Sequence, residues 1–217
     1  MLHPRLPFEL KTGKLIVFEG LDGTGKSTQL RRFEKSCEDP DYGDPLYEPM
    51  PMFTHQPSGA TGLGPKIYKL TEKVDWRKAS PVTRQLLHLA AHNEHYLNDI
   101  IPALATTSVF MDRCWWSAMA YGYRDEIADM LTWEQFMTMV QLPTHGIMPD
   151  VVYLFLSRHT KRDKKAGDDA VVLENYLRLR DTFPDRVSMI PDHNMGEVTA
   201  FISGDLKRRG LVRVEEH

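Results

Sequence analysis

The chain has 217 residues, 27 basic and 30 acidic side chains, a formal net charge of −3 and a hydrophobic fraction of 41%. That length supports one sizeable core, and we expect one domain spanning residues 1–217. The near balance of charge offers no general attraction for nucleic acid, no apolar run is long enough to span a bilayer, and Cys37 and Cys114 are too few for a disulfide framework. The opening "MLHPRLPFELKTG" lacks the apolar stretch of a signal peptide, so a cytoplasmic protein without a membrane partner is the expectation.

In chain order, "KLIVFE" (Lys14–Glu19) is a short β-branched and aromatic run bounded by glycine, and it reads as a buried parallel strand. "KSTQLRRFEKS" follows as a helix and "CEDPDYGDP" as a loop. "MPMFT" is a weaker strand that leads into the turn-rich "HQPSGATGLGP", and "PKIYKLTEK" is a short helix. The clearest helix is "ASPVTRQLLHLAAHNEHYLNDIIPAL", with Ser80 as its cap and Pro81 in its first turn. Val82, Leu86, Leu89, Asn93, Leu97 and Ile100 recur along it at helical spacing as the expected inward face, and Pro102 is expected to kink or end it. "SVFMD", "DVVYLFLS" and "RVSMI" bring the strands to five. "TWEQFMTMVQL", with Thr132 and Gln135 at capping-box spacing, "DDAVVLENYLRLRDTF" and "GEVTAFISGDLKRRG" are helices. Strands alternating with helices imply an α/β protein of three layers around a parallel sheet. The most loop-like stretches are 37–48, 55–65 and 157–168.

"GLDGTGKST" joins the first strand to the first helix, and Gly20, Gly25, Lys26 and Ser27 satisfy G-x-x-x-x-G-K-[ST]. Glycines let backbone N–H groups turn inward around phosphates, and the helix N-terminus adds a positive field. Gly23, Thr24 and Thr28 belong to the same loop. Lys26 would reach the outer phosphates of ATP, and Ser27 would offer its hydroxyl to Mg²⁺. Asp112 emerges at the carboxyl end of the strand "SVFM", where α/β proteins place ligands, and it could serve the same metal. Arg113 beside it suits a bidentate grip on a phosphate. "TKRD" (Thr160–Asp163) matches a guanine-reading motif and keeps a GTP-binding switch open as an alternative. The D-x-x-G such a switch needs reads "DRCW" here, and "TKRD" sits in the charge run "RHTKRDKK", which equally reads as a solvated face.

"FEGLDGTGKSTQL", "THQPSGATG", "LLHLAAHNEHYLNDIIPAL", "VFMDRCWWSAMAYG" and "PDVVYLFLS" together resemble the thymidylate kinase family, in the family's order and roughly its spacing. The resemblance runs from Lys14 to about Ser157. It implies a three-layer P-loop fold with a five-stranded parallel sheet, transfer of the ATP γ-phosphoryl to dTMP, Mg²⁺ and a homodimer. By the same resemblance Asp22 would meet the acceptor's 3′-hydroxyl, Arg113 its phosphate, and Ser117 and Tyr121 its surroundings. Ser117 reads equally as a small helix residue and Tyr121 as a core aromatic. The chain departs from the family at His55, His88 and His92, which replace an arginine, a stacking phenylalanine and a second arginine of the acceptor site. The base pocket is therefore expected to accept dTMP together with related, 5-substituted pyrimidine deoxynucleotides. A kinase acting on a nucleoside or base hydroxyl also stays open. With Gly23 in the loop, the catalytic cation must come from a lid around 157–168, with Arg158, Lys161, Arg162, Lys164 and Lys165 as candidates and Arg162 and Lys165 foremost. The adenine contact is expected near "PDHNM".

Overall fold

A computed structural model describes residues 9–10, 13–38, 50–56, 63–73, 79–157 and 168–213. The strands are β1 (Glu9–Leu10), β2 (Leu15–Gly20), β3 (Met52–His55), β4 (Val109–Asp112), β5 (Val151–Phe155), β6 (Val187–Met189) and β7 (Val212–Arg213). The α-helices are α1 (Lys26–Glu38), α2 (Gly64–Lys73), α3 (Pro81–His95), α4 (Ile101–Leu104), α5 (Trp115–Gly122), α6 (Asp125–Met130), α7 (Trp133–Gln141), α8 (Asp168–Thr182) and α9 (Met195–Arg208).

Five strands form one parallel sheet in the order β3-β4-β2-β5-β6, as the alternation of elements leads one to expect. Side chains along a strand alternate between faces, and the two cores divide accordingly. Leu15, Val17, Met111 and Leu154 enter one core with α3, α5, α7 and α8. Ile16, Phe18, Phe110 and Tyr153 enter the other with α1 and α9. Phe18 packs there against Phe33, Phe110, Tyr153 and Phe155. The alternation has a consequence for the next residue of β2: Glu19 follows Leu15 and Val17 toward α5, and it is fully buried. Among the described residues, no helix is long and apolar enough to cross a membrane.

Three expectations need correction. The inward face of α3 is not the one the spacing of large apolar residues suggests. Leu86 and Leu97 are exposed, while Leu89, His92, His95, Tyr96 and Ile100 are buried. Polar histidines occupy the buried face because it turns toward a cleft and the end of β3. Of the two outcomes expected at Pro102, a kink or an end, the helical run does not end. The chain widens into a π turn, Tyr96–Ile100, in which the Ile101 N–H donates to Tyr96, and α4 carries the run on to Leu104. Widening the turn ahead of the proline absorbs its missing donor and its ring. Finally, α5, α6 and the antiparallel pair β1–β7 had no element of their own in the sequence reading. Of the expected loops, residues 37, 38, 64, 65 and 168 are helical, residue 55 ends β3, and residues 39–48, 57–62 and 158–167 lie outside the described residues.

Candidate active site

The loop after β2 is pressed against β5. Leu21 N–H donates to the Phe155 carbonyl at 3.1 Å, and a Cβ on Gly20 would stand 1.9 Å from that same oxygen. Gly20 also has φ 131°, so no other residue fits there. Gly23 and Gly25 follow with φ of 74° and 93°. Thr24 donates its hydroxyl to Leu21 O, and the Lys26 ammonium donates to the same carbonyl at 2.6 Å. Lys26 is only 5% exposed. Burial is the main reason that its pKa falls to about 8; Arg113 adds to it, against the opposing pull of Asp112, Glu19 and Asp22.

This loop floors a cleft of about 740 Å³. Gly23, Thr24, Gly25, Lys26, Ser27 and Thr28 all line it, as do Asp112 and Arg113. Its far wall comes from Ile190, His193, Asn194 and Met195, so the "PDHNM" segment does stand at the nucleotide-sized cleft. Gln29 ties that wall to α1, donating to Met195 O and accepting from the Thr199 hydroxyl, each at 2.8 Å. The Ser27 hydroxyl donates to Asp112 Oδ2, and Asp112 Oδ1 is buried without a hydrogen-bond partner among the described residues.

Asp22 and Arg113 also line a second cleft of about 420 Å³, between α3 and α5. They form an ion pair with each other. Arg113 takes φ 68°, a backbone conformation disfavoured for a side chain of its size, while its N–H still donates to Phe18 O at 2.9 Å. The turn aims its guanidinium between the clefts. There it donates to Ser117 Oγ at 2.7 Å and lies 5.2 Å over the Tyr121 ring. Burial works against its charge, but Tyr176, Glu19, Tyr121 and Asp22 together outweigh burial and hold the pKa above the ordinary arginine value.

Glu19 fastens this arrangement, and the sequence reading gave it no role. Its Oε1 accepts from the N–H groups of Cys114 (2.6 Å) and Ser117 (3.0 Å), at the start of α5. Its Oε2 accepts from the hydroxyls of Ser117 (2.7 Å) and Tyr176 (2.8 Å) and from Gly20 N–H at 3.3 Å. One buried carboxylate thus joins the phosphate-type loop, α5 and α8. The only sequence signal for it is an acidic residue closing an apolar strand just before a glycine loop.

Of the expected acceptor residues, His88, His92, Ser117 and Tyr121 line the second cleft. His92 is 5% exposed, and its pKa falls to about 3 through burial first and then through His88 and His95. Burial also lowers that of His88. His55 lines neither cleft; it is exposed at the end of β3, opposite Asp112 in register. Strand alternation explains the difference: Thr54 faces α3, where its hydroxyl meets His95 Nε2 at 3.0 Å, and Gln56 follows it on that side into the second cleft. His55 points the other way. Gln56 and Gln85 are cleft residues that motif reading passed over. The lid candidates Arg158, Lys161, Arg162, Lys164 and Lys165, and the "TKRD" segment, lie outside the described residues.

Comparison with known proteins agrees with this geometry. A family model described as thymidylate kinase matches residues 18–183. The thymidylate kinase of Caldanaerobacter subterraneus subsp. tengcongensis is 30% identical over 203 residues, covering 87% of this chain and 90% of that protein. The thymidylate kinase of Prochlorococcus marinus (strain NATL2A) is 28% identical over 88% of this chain and 90% of its own length. The crystal structure of thymidylate kinase from Ehrlichia chaffeensis superposes with a TM-score of 0.69 at 22% identity, covering 93% of this chain and 99% of that one, a likeness of fold.

Proposed function

Because the chain belongs to the thymidylate kinase family, a family of ATP-dependent nucleoside monophosphate kinases, we propose that it transfers the γ-phosphoryl of ATP to dTMP or a related, 5-substituted pyrimidine deoxynucleotide. The observation that carries this reading is the pair of clefts meeting at Asp22 and Arg113, one floored by the phosphate-type loop and the other closed by α3 and α5. Donor and acceptor phosphates would face each other across that shared wall. Family membership also favours a phosphotransferase over a GTP switch.

Catalysis in this scheme is positioning plus neutralisation of charge. The loop N–H groups and Lys26 hold the donor phosphates. The acceptor phosphate displaces Asp22 from the Arg113 guanidinium, and the freed carboxylate then accepts a hydrogen bond from the acceptor's 3′-hydroxyl. Ser117 and Tyr121 keep Arg113 in place. Lid cations, Arg162 and Lys165 foremost, complete the neutralisation and help to exclude water. The oxygens of Ser27 and Asp112, with Asp112 Oδ1 buried and unpaired among the described residues, suit a hard cation, and they would hold Mg²⁺. Bound there, Mg²⁺ supplies further positive charge to the donor phosphate oxygens.

A homodimer belongs to the same proposal. Leu86 and Ala90 on α3 and Leu97 in the π turn that continues it lie exposed along one side, and Leu142, 71% exposed, sits on a turn that His145 ties to Asn93 of α3. This apolar strip is the surface we assign to the second copy.

The test is a panel of nucleoside monophosphates incubated with ATP and Mg²⁺, read by product mass. A diphosphate from dTMP is expected, and a folded Lys26→Ala variant should lose at least about a hundredfold in turnover. Near-normal turnover in that variant would remove the loop from the mechanism.

A further inference from the structure

The side chains that line the second cleft carry polar atoms that no group among the described residues satisfies. Both ends of the Gln56 amide, Gln85 Oε1 and His92 Nδ1 are buried without a hydrogen-bond partner among the described residues, and all three side chains line this cleft. Buried polar groups left unpaired destabilise a fold, so a ligand that brings partners to them is favoured. Gln85 owes its position to a missing side chain. Gly122 ends α5, and a Cβ there would stand 2.4 Å from Gln85 Nε2 and 2.9 Å from Phe136 Cζ. The amide of Gln85 therefore lies in space that any other residue at 122 would take.

Gln85, His88 and His92 share one face of α3, at spacings of three and four. Arg113 stands just before α5 and Gly122 closes it. The guanidinium of Arg113 lies against Ser117 and Tyr121, and Gln85 lies against Gly122 at the end of α5. An acceptor phosphate at Arg113 therefore has the wall formed by Gln85, His88 and His92 open to its base.

We propose that Gln85 reads the hydrogen-bonding edge of the acceptor base and does so for both kinds of pyrimidine edge, so that dCMP is phosphorylated as well as dTMP. The proposal rests on the reading of this cleft as the acceptor site. Thymine and uracil present an N3–H donor beside an O4 acceptor. Cytosine presents an N3 acceptor beside an amino donor. A carboxamide offers one donor side and one acceptor side, and a half-turn about its soft terminal torsion exchanges them. Gln56 has the same freedom. His92, as a neutral imidazole, offers one donor and one acceptor nitrogen in either tautomer. Among the described residues, no group at the base end of the cleft is limited to donating, as an arginine would be, so none of them rejects the cytosine edge. The reaction balances as for dTMP: the γ-phosphoryl passes from ATP to a phosphate oxygen of dCMP, giving ADP and dCDP.

The experiment measures kcat and KM for dTMP, dUMP and dCMP in the natural protein, Gln85→Leu and Gly122→Ala, with the KM for ATP and the melting temperature alongside. In the natural protein, kcat/KM for dCMP should lie within about tenfold of that for dTMP. Gln85→Leu should raise the KM for both acceptors about tenfold while the KM for ATP and the melting temperature hold. Gly122→Ala should raise both acceptor KM values likewise by displacing the amide, with a lower melting temperature because its Cβ also meets the buried Phe136 ring. The inference is overturned if dTMP is preferred to dCMP by more than about a hundredfold. It is equally overturned if a folded Gln85→Leu protein keeps both acceptor KM values. Phosphorylation of no nucleoside monophosphate at all would overturn the kinase reading itself, and this inference with it.

Discussion

Lys26 is buried with its ammonium against the Leu21 carbonyl, and its pKa of about 8 follows from that burial. A triphosphate beside it would favour the charged form and push the pKa back up. Nucleotide binding near pH 8.5 should therefore take up more than about half a proton. Calorimetry in two buffers of different ionisation enthalpy measures this, and Lys26→Arg should abolish the uptake. Binding without linked protons in the natural protein would mean that Lys26 does not meet the phosphates. The histidines behave differently. His92, with its pKa at about 3, stays neutral near pH 7. His95, fully enclosed, is lowered to about 4 by burial first, with His55 adding to it against Asp99. Both groups bind protons below the ordinary value of 6.5 when unfolded and resist doing so when folded. Their share of stability is whole above that value and is lost as pH falls toward the folded values. At about pH 5 the loss is about 2 kcal/mol for each. His92→Gln should lessen the fall in melting temperature between about pH 7 and about pH 5. An unchanged fall would assign the acid sensitivity to other groups.

At the level of elements, α5 and the loop after β2 are held by one side chain. Glu19 accepts five hydrogen bonds, and an amide in its place must turn a donor toward other donors. Glu19→Gln should cost about 3 kcal/mol, or a melting temperature lower by roughly 6–12 °C for a protein of this size. Because Ser117 also supports Arg113, the KM for the acceptor should rise more than that for ATP. Thermal melts and steady-state kinetics check both parts, and an unchanged melting temperature would show that the network is slack. These elements also mark the reach of sequence patterns. The capping box of α7 and the Ser80 cap of α3 formed as their spacing implies. The buried face of α3 did not follow its leucines, because spacing ranks positions by hydrophobicity and cannot see that a cleft faces the helix. His55 failed as a cleft residue for a related reason: its motif position is right, but strand alternation gives the cleft to Gln56.

For the whole molecule, the exposed strip of Leu86, Ala90 and Leu97 is the surface that the homodimer proposal gives to a second copy of the chain. Leu86, 54% exposed, makes no large contribution to the core, so Leu86→Glu should leave the fold intact. Sedimentation velocity should find a dimer for the natural protein and a monomer for the variant. A monomer in both, at concentrations well above those of the assay, would release this face from the proposal.

The order of strands and helices, the parallel sheet, the phosphate-type loop and the Asp112–Arg113 pair were legible in the sequence, because each depends on local periodicity or on a motif whose residues are contiguous. Family resemblance added the grouping of Ser117, Tyr121, His88 and His92 around one cleft, and the fold brings them to it. What only the tertiary structure decided are the matters that depend on contacts between distant segments. Glu19 became the hub because strand alternation carries it to α5 and α8. Gln85 became a cleft residue because Gly122, on another helix, leaves room for its amide. His92 resists protonation because it is buried and, secondarily, because His88 and His95 stand close to it. Burial, close approach and electrostatic coupling are properties of the packed chain, and spacing along a single segment does not encode them.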